Sequence, residues 1–222
     1  MRHLSIWCRI YVGLVAFSIL GSGLTALTGL DPGPIKPAAA LLTLLFGTLA
    51  VFAPFEKRGV LLCGAVVAIG AMSEVCGIYT GWPFGRYAYS SVWWPTFTLP
   101  GGHFFPALLP FAWALVVGGA YAHGKGVWMA AILATLMDFV MEPVMTGRLR
   151  YWNWLEAGPL PGGAPVLNSI GWFVVSLLAA AAMSGLGASK RIHRDAVVVF
   201  YGHLILTLAI GAIGQTVSKV AQ

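Results

Sequence analysis

The stretch GVLLCGAVVAIGAMSEVCGIY, residues 59–79, contains one acidic residue, Glu74, in a run of membrane-crossing length. A transmembrane helix needs roughly 17–25 predominantly apolar residues. Applied along the chain, the same criterion predicts spans at 9–28, 37–54, 59–79, 103–122, 126–146, 166–187 and 196–217. The expected fold is all-α, a polytopic transmembrane helix bundle of about seven spans, with residues 1–222 forming a single integral membrane domain. Composition agrees, with 59% of residues apolar and 9% charged. A soluble domain carries about 25% charged residues, so this chain lacks the polar surface to cover a water-soluble body.

The N-terminal segment MRHLSIWCRIYVGLVAFSIL starts like a signal peptide. Arg9 interrupts it, the apolar run continues to Leu27, and no small-x-small cleavage site follows, so it reads as the first span. The net charge of +6 does not point to nucleic acid, because the basic residues are scattered between apolar runs. With the N-terminus inside, eight Lys and Arg, starting with Arg2, fall on the inner side and five, ending with Lys219, on the outer; the lean is toward N-inside. Cys8, Cys63 and Cys76 form no CxxC pair and read as small buried hydrophobes.

Two connections differ from the short turns elsewhere. Residues 80–102 and 147–165 are long, rich in Pro and Gly, and loaded with Trp and Tyr, as suits a cap packed at a membrane interface. The ionisable groups converge on that end. Of seven carboxylates, Glu74, Asp138 and Glu142 lie inside predicted spans, where charges are costly and are functional candidates. If the third and fifth spans run in the same direction, Glu74 and Glu142 both sit roughly 8–9 Å below the capped surface. Asp138 lies one turn deeper on the face of Glu142. The fourth span begins there with His103 and the sixth with Asn168. Pro143 cannot donate to the carbonyl of Phe139, which frees an acceptor beside both acids.

A purely structural role, with the acids holding the loops through Arg86, Arg148 or tyrosine hydroxyls, would account for the same residues. Missing motifs narrow the chemistry. The chain has no HxxxH or HxxH cluster for di-iron, no DDxxD for magnesium, no lysine within the last predicted span for a Schiff base, and no phosphate loop. What remains is a site of carboxylic acids, aromatics and an amide, with no metal and no cofactor expected.

Gly81-Trp-Pro-Phe-Gly-Arg-Tyr-Ala-Tyr89 and the following PALLPFAW (Pro106 to Trp113) form a recognisable series with Asp138-x-x-x-Glu142-Pro143, Trp152-Asn-Trp154 and Pro165-x-x-Asn168-x-x-Gly171-Trp172. Together, over roughly residues 70–180, they resemble a membrane carotenoid-biosynthesis family. That family includes the bisanhydrobacterioruberin hydratases and the γ-carotene hydroxylases that act as hydratases. Glu142 stands where the family more often carries Asp, which marks a subfamily.

The resemblance implies addition of water across the terminal double bond of an acyclic carotenoid end, giving a tertiary alcohol. The expected substrate is lycopene-, γ-carotene- or bisanhydrobacterioruberin-like. Membrane lipid and other carotenoid enzymes are candidate partners, and a bacterial or archaeal cytoplasmic membrane is the expected location. The residue inventory suits the reaction. A carboxyl away from water holds its proton more readily, as general-acid catalysis requires. Aromatic faces stabilise a cation by roughly 0.5–2 kcal/mol each.

On this reading Asp138 donates the proton, Glu142 is coupled to it or activates water, and Glu74 and Arg86 tune the pair. Trp82, Tyr87, Tyr89, Trp152 and Trp154 face the cation, with His103 at the same end, and Asn168 or a tyrosine hydroxyl holds the water. The same acids would also serve a proton-coupled transporter or a lipid- or carotenoid-binding membrane protein. An oxygen-dependent hydroxylase is a third reading.

Overall fold

The computed structural model describes residues 3–220, with side chains described to residue 214. Arg2 and the side chain of Lys219, both part of the charge count, fall outside these limits. Seven α-helices form the body: α1 (Ile6–Thr28), α2 (Ile35–Phe52), α3 (Gly59–Thr80), α4 (Leu109–Tyr121), α5 (Val127–Pro143), α6 (Val166–Gly185) and α7 (Arg194–Val220). The breaks follow the sequence chemistry. Ser5 caps α1 by accepting from the Cys8 amide at 3.2 Å, and Gly29 ends it in the left-handed conformation at φ 70°. Pro54 begins a 3₁₀ turn, Ala53–Arg58, in which Glu56 at φ 53° separates α2 from α3.

Five stretches are long and apolar enough to cross a membrane: Ile6–Thr28, Ile35–Thr80, Val127–Leu149, Val166–Gly185 and Arg194–Gly214. The expected seven spans are not reached on this criterion. The 46-residue stretch Ile35–Thr80 contains both α2 and α3, and α4 has only 13 residues. The predicted start of α4 at residue 103 is replaced by a strand, Phe104–Pro106, and the helix starts only at Leu109, with Pro110 in its first turn. The shortened helix is buried on nearly every side, from Leu109 to Tyr121, as a helix apolar all round should be. It is the axis on which α2, α3, α5, α6 and α7 pack.

All seven helices run between two ends. At one end the Ser5 amide donates to Asp195 Oδ2 (3.0 Å), Arg58 donates to the Gly187 carbonyl (3.0 Å) and the His193 amide to the Ala122 carbonyl (3.1 Å). At the other end the two long loops carry short strands that the all-α expectation did not include. They form two antiparallel ribbons, β1 (Tyr87–Tyr89) with β4 (Trp152–Trp154), and β2 (Thr96–Thr98) with β3 (Phe104–Pro106). The first ribbon ties the loops together. Outward faces of the helices stay apolar, with Leu20, Leu27, Val60, Met72, Leu136 and Ile205 exposed. The cysteines are free; Cys8 is buried as expected, but Cys76 is exposed.

Close helix contacts depend on glycine. A Cβ at Gly47 would lie 2.6 Å from Leu115 Cδ1 and 3.0 Å from the Tyr11 ring, whereas one at Gly64 would meet nothing within 4 Å. Gly47→Val should therefore destabilise the detergent-solubilised protein by about 1–3 kcal/mol, the usual cost of overpacking. Gly64→Ala should be neutral or stabilising by up to about 1 kcal/mol, through helix propensity. Thermal unfolding of the pair checks both, and equal melting points would contradict the packing described.

Candidate active site

Glu74 lies on one face of α3 between Gly70 and Gly77. A Cβ at Gly70 would fall 2.7 Å from the Trp113 ring, and one at Gly77 would fall 2.5 Å from the Tyr87 hydroxyl. Those gaps admit the groups that satisfy the acid. Trp113 Nε1 donates to Glu74 Oε1 at 2.8 Å, and the Tyr87 and Tyr89 hydroxyls donate to Oε2 at 2.7 and 2.8 Å. Tyr87 and Tyr89 lie outside the helices. Burial first, and then Glu74, hold both phenols well above their ordinary range, so each keeps its proton and remains a donor.

Asp138 and Glu142, one turn apart on α5, meet Asn168 from α6. The Asn168 amide donates to Asp138 Oδ2 at 2.8 Å and to Glu142 Oε1 at 3.0 Å. Trp154 Nε1 reaches Glu142 Oε2 at 3.0 Å. All three acids are buried, at 4%, 1% and 2% exposure for Glu74, Asp138 and Glu142, so fixed donors must replace water. Asp138 Oδ1 has no partner among the described residues. Beyond Glu142 the chain widens into a π-helical turn, Val144–Leu149. Pro143 cannot continue the α-helical bonding there, and such turns often accompany functional sites.

The β1–β4 register pairs Tyr87 with Trp154 and Tyr89 with Trp152. Alternation puts all four rings on one face of the ribbon. Tyr87 meets Trp154 edge-on at 5.6 Å and Tyr89 meets Trp152 at 6.1 Å. A cavity of about 500 Å³ lies beneath, lined by Glu74, Glu142, Asn168 and these four rings, and by Trp93, Trp113, Tyr151 and Trp172. Trp113 and Trp172 stack at 3.9 Å on its floor.

The structure thus brings together Glu74, Asp138, Glu142, Tyr87, Tyr89, Trp152, Trp154 and Asn168. Asp138 stands one layer behind the wall and does not line the cavity, and Asn168 commits amide hydrogens to the two acids rather than leaving them for water. The other three candidates lie elsewhere. Arg86 is exposed and pairs with Glu156 at 3.8 Å, Trp82 is exposed, and exposed His103 packs edge-on against Tyr79. Sequence reasoning left Trp113, Trp172, Trp93 and Tyr151 out of the site. Trp172 was recoverable, because it follows Asn168 by four residues and shares its face. The place of Trp113 depends on the α3–α4 packing and that of Tyr151 on the chain leaving the π-helical turn, so periodicity shows neither, although Trp113 ends one of the motifs that carry the resemblance.

Fold and site together define a helical protein, with segments long and apolar enough to cross a membrane, that encloses a pocket of carboxylic acids and aromatic rings. Residues 37–221 match the family described as "Carotenoid biosynthesis protein", and the chain belongs to that family. It is similar to the bisanhydrobacterioruberin hydratase of Haloarcula japonica, at 29% identity over 179 residues, 72% of this chain. The aligned segment spans 59% of that relative's length. No solved structure matches the chain.

Trp113→Phe keeps an aromatic ring opposite Trp172 but removes the donor to Glu74 Oε1. Stability should fall by about 1–3 kcal/mol, the cost of a buried acceptor left unmatched. Thermal unfolding in detergent measures it, and an unchanged melting point would contradict the role given to that bond.

Proposed function

We propose that the protein is a carotenoid hydratase, a hydro-lyase without redox chemistry or cofactor, which adds water across the terminal double bond of an acyclic carotenoid end. The observation that carries this reading is the joining of Asp138 and Glu142 through Asn168 beneath a four-ring aromatic face. Membership of a carotenoid biosynthesis family and similarity to a hydratase support the substrate class.

The protein acts as one integral membrane domain over residues 1–222, in a bacterial or archaeal cytoplasmic membrane. All seven helices cross, an assignment supported by their run between two common ends, with buried α4 shielded from lipid by its neighbours. The substrate is lycopene-, γ-carotene- or bisanhydrobacterioruberin-like. Membrane lipid surrounds the bundle, and enzymes making or elongating the carotenoid are natural partners.

Glu142 is the acid that meets the substrate, because it lines the cavity while Asp138 stands behind it. This shifts direct proton donation from Asp138, which becomes the coupled partner through Asn168. The proton adds to the CH carbon of the isopropylidene end, leaving a tertiary cation at the dimethyl carbon. Faces of Trp152, Trp154, Tyr87 and Tyr89 stabilise that cation by roughly 0.5–2 kcal/mol each, according to desolvation. Water adds to the cationic carbon and its surplus proton returns to the carboxylate pair, so the acid is regenerated. Glu74, fixed by three donors, anchors the ribbon against α3 and α4. Arg86, Trp82 and His103 belong to the outer cap, where they position the loops.

Expression in a lycopene-producing host, with mass spectrometry of the carotenoids, tests the reading. Wild type should add the mass of one or two waters. Asp138→Asn and Glu142→Gln should each lower product at least about hundredfold, as loss of a general acid requires, with the protein still present in the membrane. Full turnover by both variants would sink the mechanism.

A further inference from the structure

Hydroxyl groups on the wall of a cavity are an expensive feature in an apolar bundle unless something meets them. Ser18, Ser22 and Thr25 follow one another at spacings of four and three on one face of α1, and all line the cavity that contains Glu74 and Glu142. Gly21 lies among them beside open space. Thr43 of α2 and His203 and Thr207 of α7 line the same cavity. Thr43 and Thr207 donate to the carbonyls of Ala39 and His203 at 2.7 and 2.9 Å.

Thr25 likewise donates to the Ser22 carbonyl at 3.0 Å, which leaves Ser18, Ser22 and His203 unmatched. Among the described residues the Ser18 and Ser22 hydroxyls make no hydrogen bond, and His203 Nδ1 finds no partner although the residue is only 8% exposed. The α1 face leads to Asp31, Lys36 and Arg148, exposed residues at the margin of the cavity on the capped side. Successive hydroxyls rise roughly 4.5–6 Å along the axis. A single water making two hydrogen bonds of about 2.8 Å bridges that distance.

We propose that the face Thr25–Ser22–Ser18, ending at His203, is the inlet for water, the second substrate of the reaction, an assignment that rests on the hydration reading above. Each turnover consumes a water, and this route brings it from the capped surface while the aromatic ribbon receives the hydrocarbon. His203 is the inner polar terminus of the path, where its free ring nitrogen holds the last water.

The test uses the full chain in liposomes, with Cys8, Cys63 and Cys76 replaced by Ala and single cysteines introduced at positions 18, 22 and 25. Position 20, whose leucine faces outward at 73% exposure, is the control. A charged methanethiosulfonate reagent reacts with thiolate, which forms in contact with water. Labelling at 18, 22 and 25 should be at least about tenfold faster than at 20. Ser22→Leu should slow labelling at 18, leave labelling at 25 unchanged, and lower kcat for hydration without raising KM. Labelling at 18 and 22 no faster than at 20, or a Ser22→Leu effect confined to KM, would overturn the inlet. Fast labelling with the Ser22→Leu block, in a protein that forms no hydrated product from any acyclic carotenoid, would leave the water path standing and remove the hydration reading instead.

Discussion

Three carboxylates buried in an apolar bundle must each find donors within the protein, and the rest of the architecture follows from that constraint. Glu74 takes its donors from α4 and β1, Glu142 from α6 and β4, and Asp138 from α6. Those bonds fasten the ribbon over the cavity and join α5 to α6. Removing one partner leaves an acid, or a donor, unmatched where water does not compensate. The groups are therefore interdependent: Gly70 and Gly77 matter because they let Trp113 and Tyr87 approach Glu74.

The same arrangement suits a proton-transfer site. Donors from Asn168 hold two acids in one network, and the aromatic face presents π-electrons rather than competing nucleophiles to a developing cation. The chain's membership of a carotenoid biosynthesis family is consistent with such a pocket.

Much of the helical frame was legible in the sequence, because apolar runs and their breakers are local signals. The predicted spans 59–79 and 166–187 coincide with α3 and α6 to within two residues at either end. The start of α4 was misread because Phe104, Phe105 and Pro106 are as apolar as a span, while their strand pairing with residues 96–98 is a non-local fact. Among the site residues, the i, i+4 spacing of Asp138 and Glu142 announced a shared face. What periodicity could not reveal was depth from the cavity, which turned on the rotation of α5 against α6 and put Asp138 behind Glu142. Arg86 looked like a partner for the acids in sequence, but it lies just before β1, is exposed, and pairs with Glu156 outside.

The central claim is that buried acids add water, not oxygen, to a carotenoid end. Its most direct measurement is the source of the product oxygen. The purified protein in detergent micelles, without an ion gradient or added reductant, is incubated anaerobically with an acyclic carotenoid in heavy-oxygen water. The account predicts a tertiary alcohol carrying the heavy isotope at the enrichment of the solvent. Product formed only when molecular oxygen is admitted, or lacking the label, would contradict it.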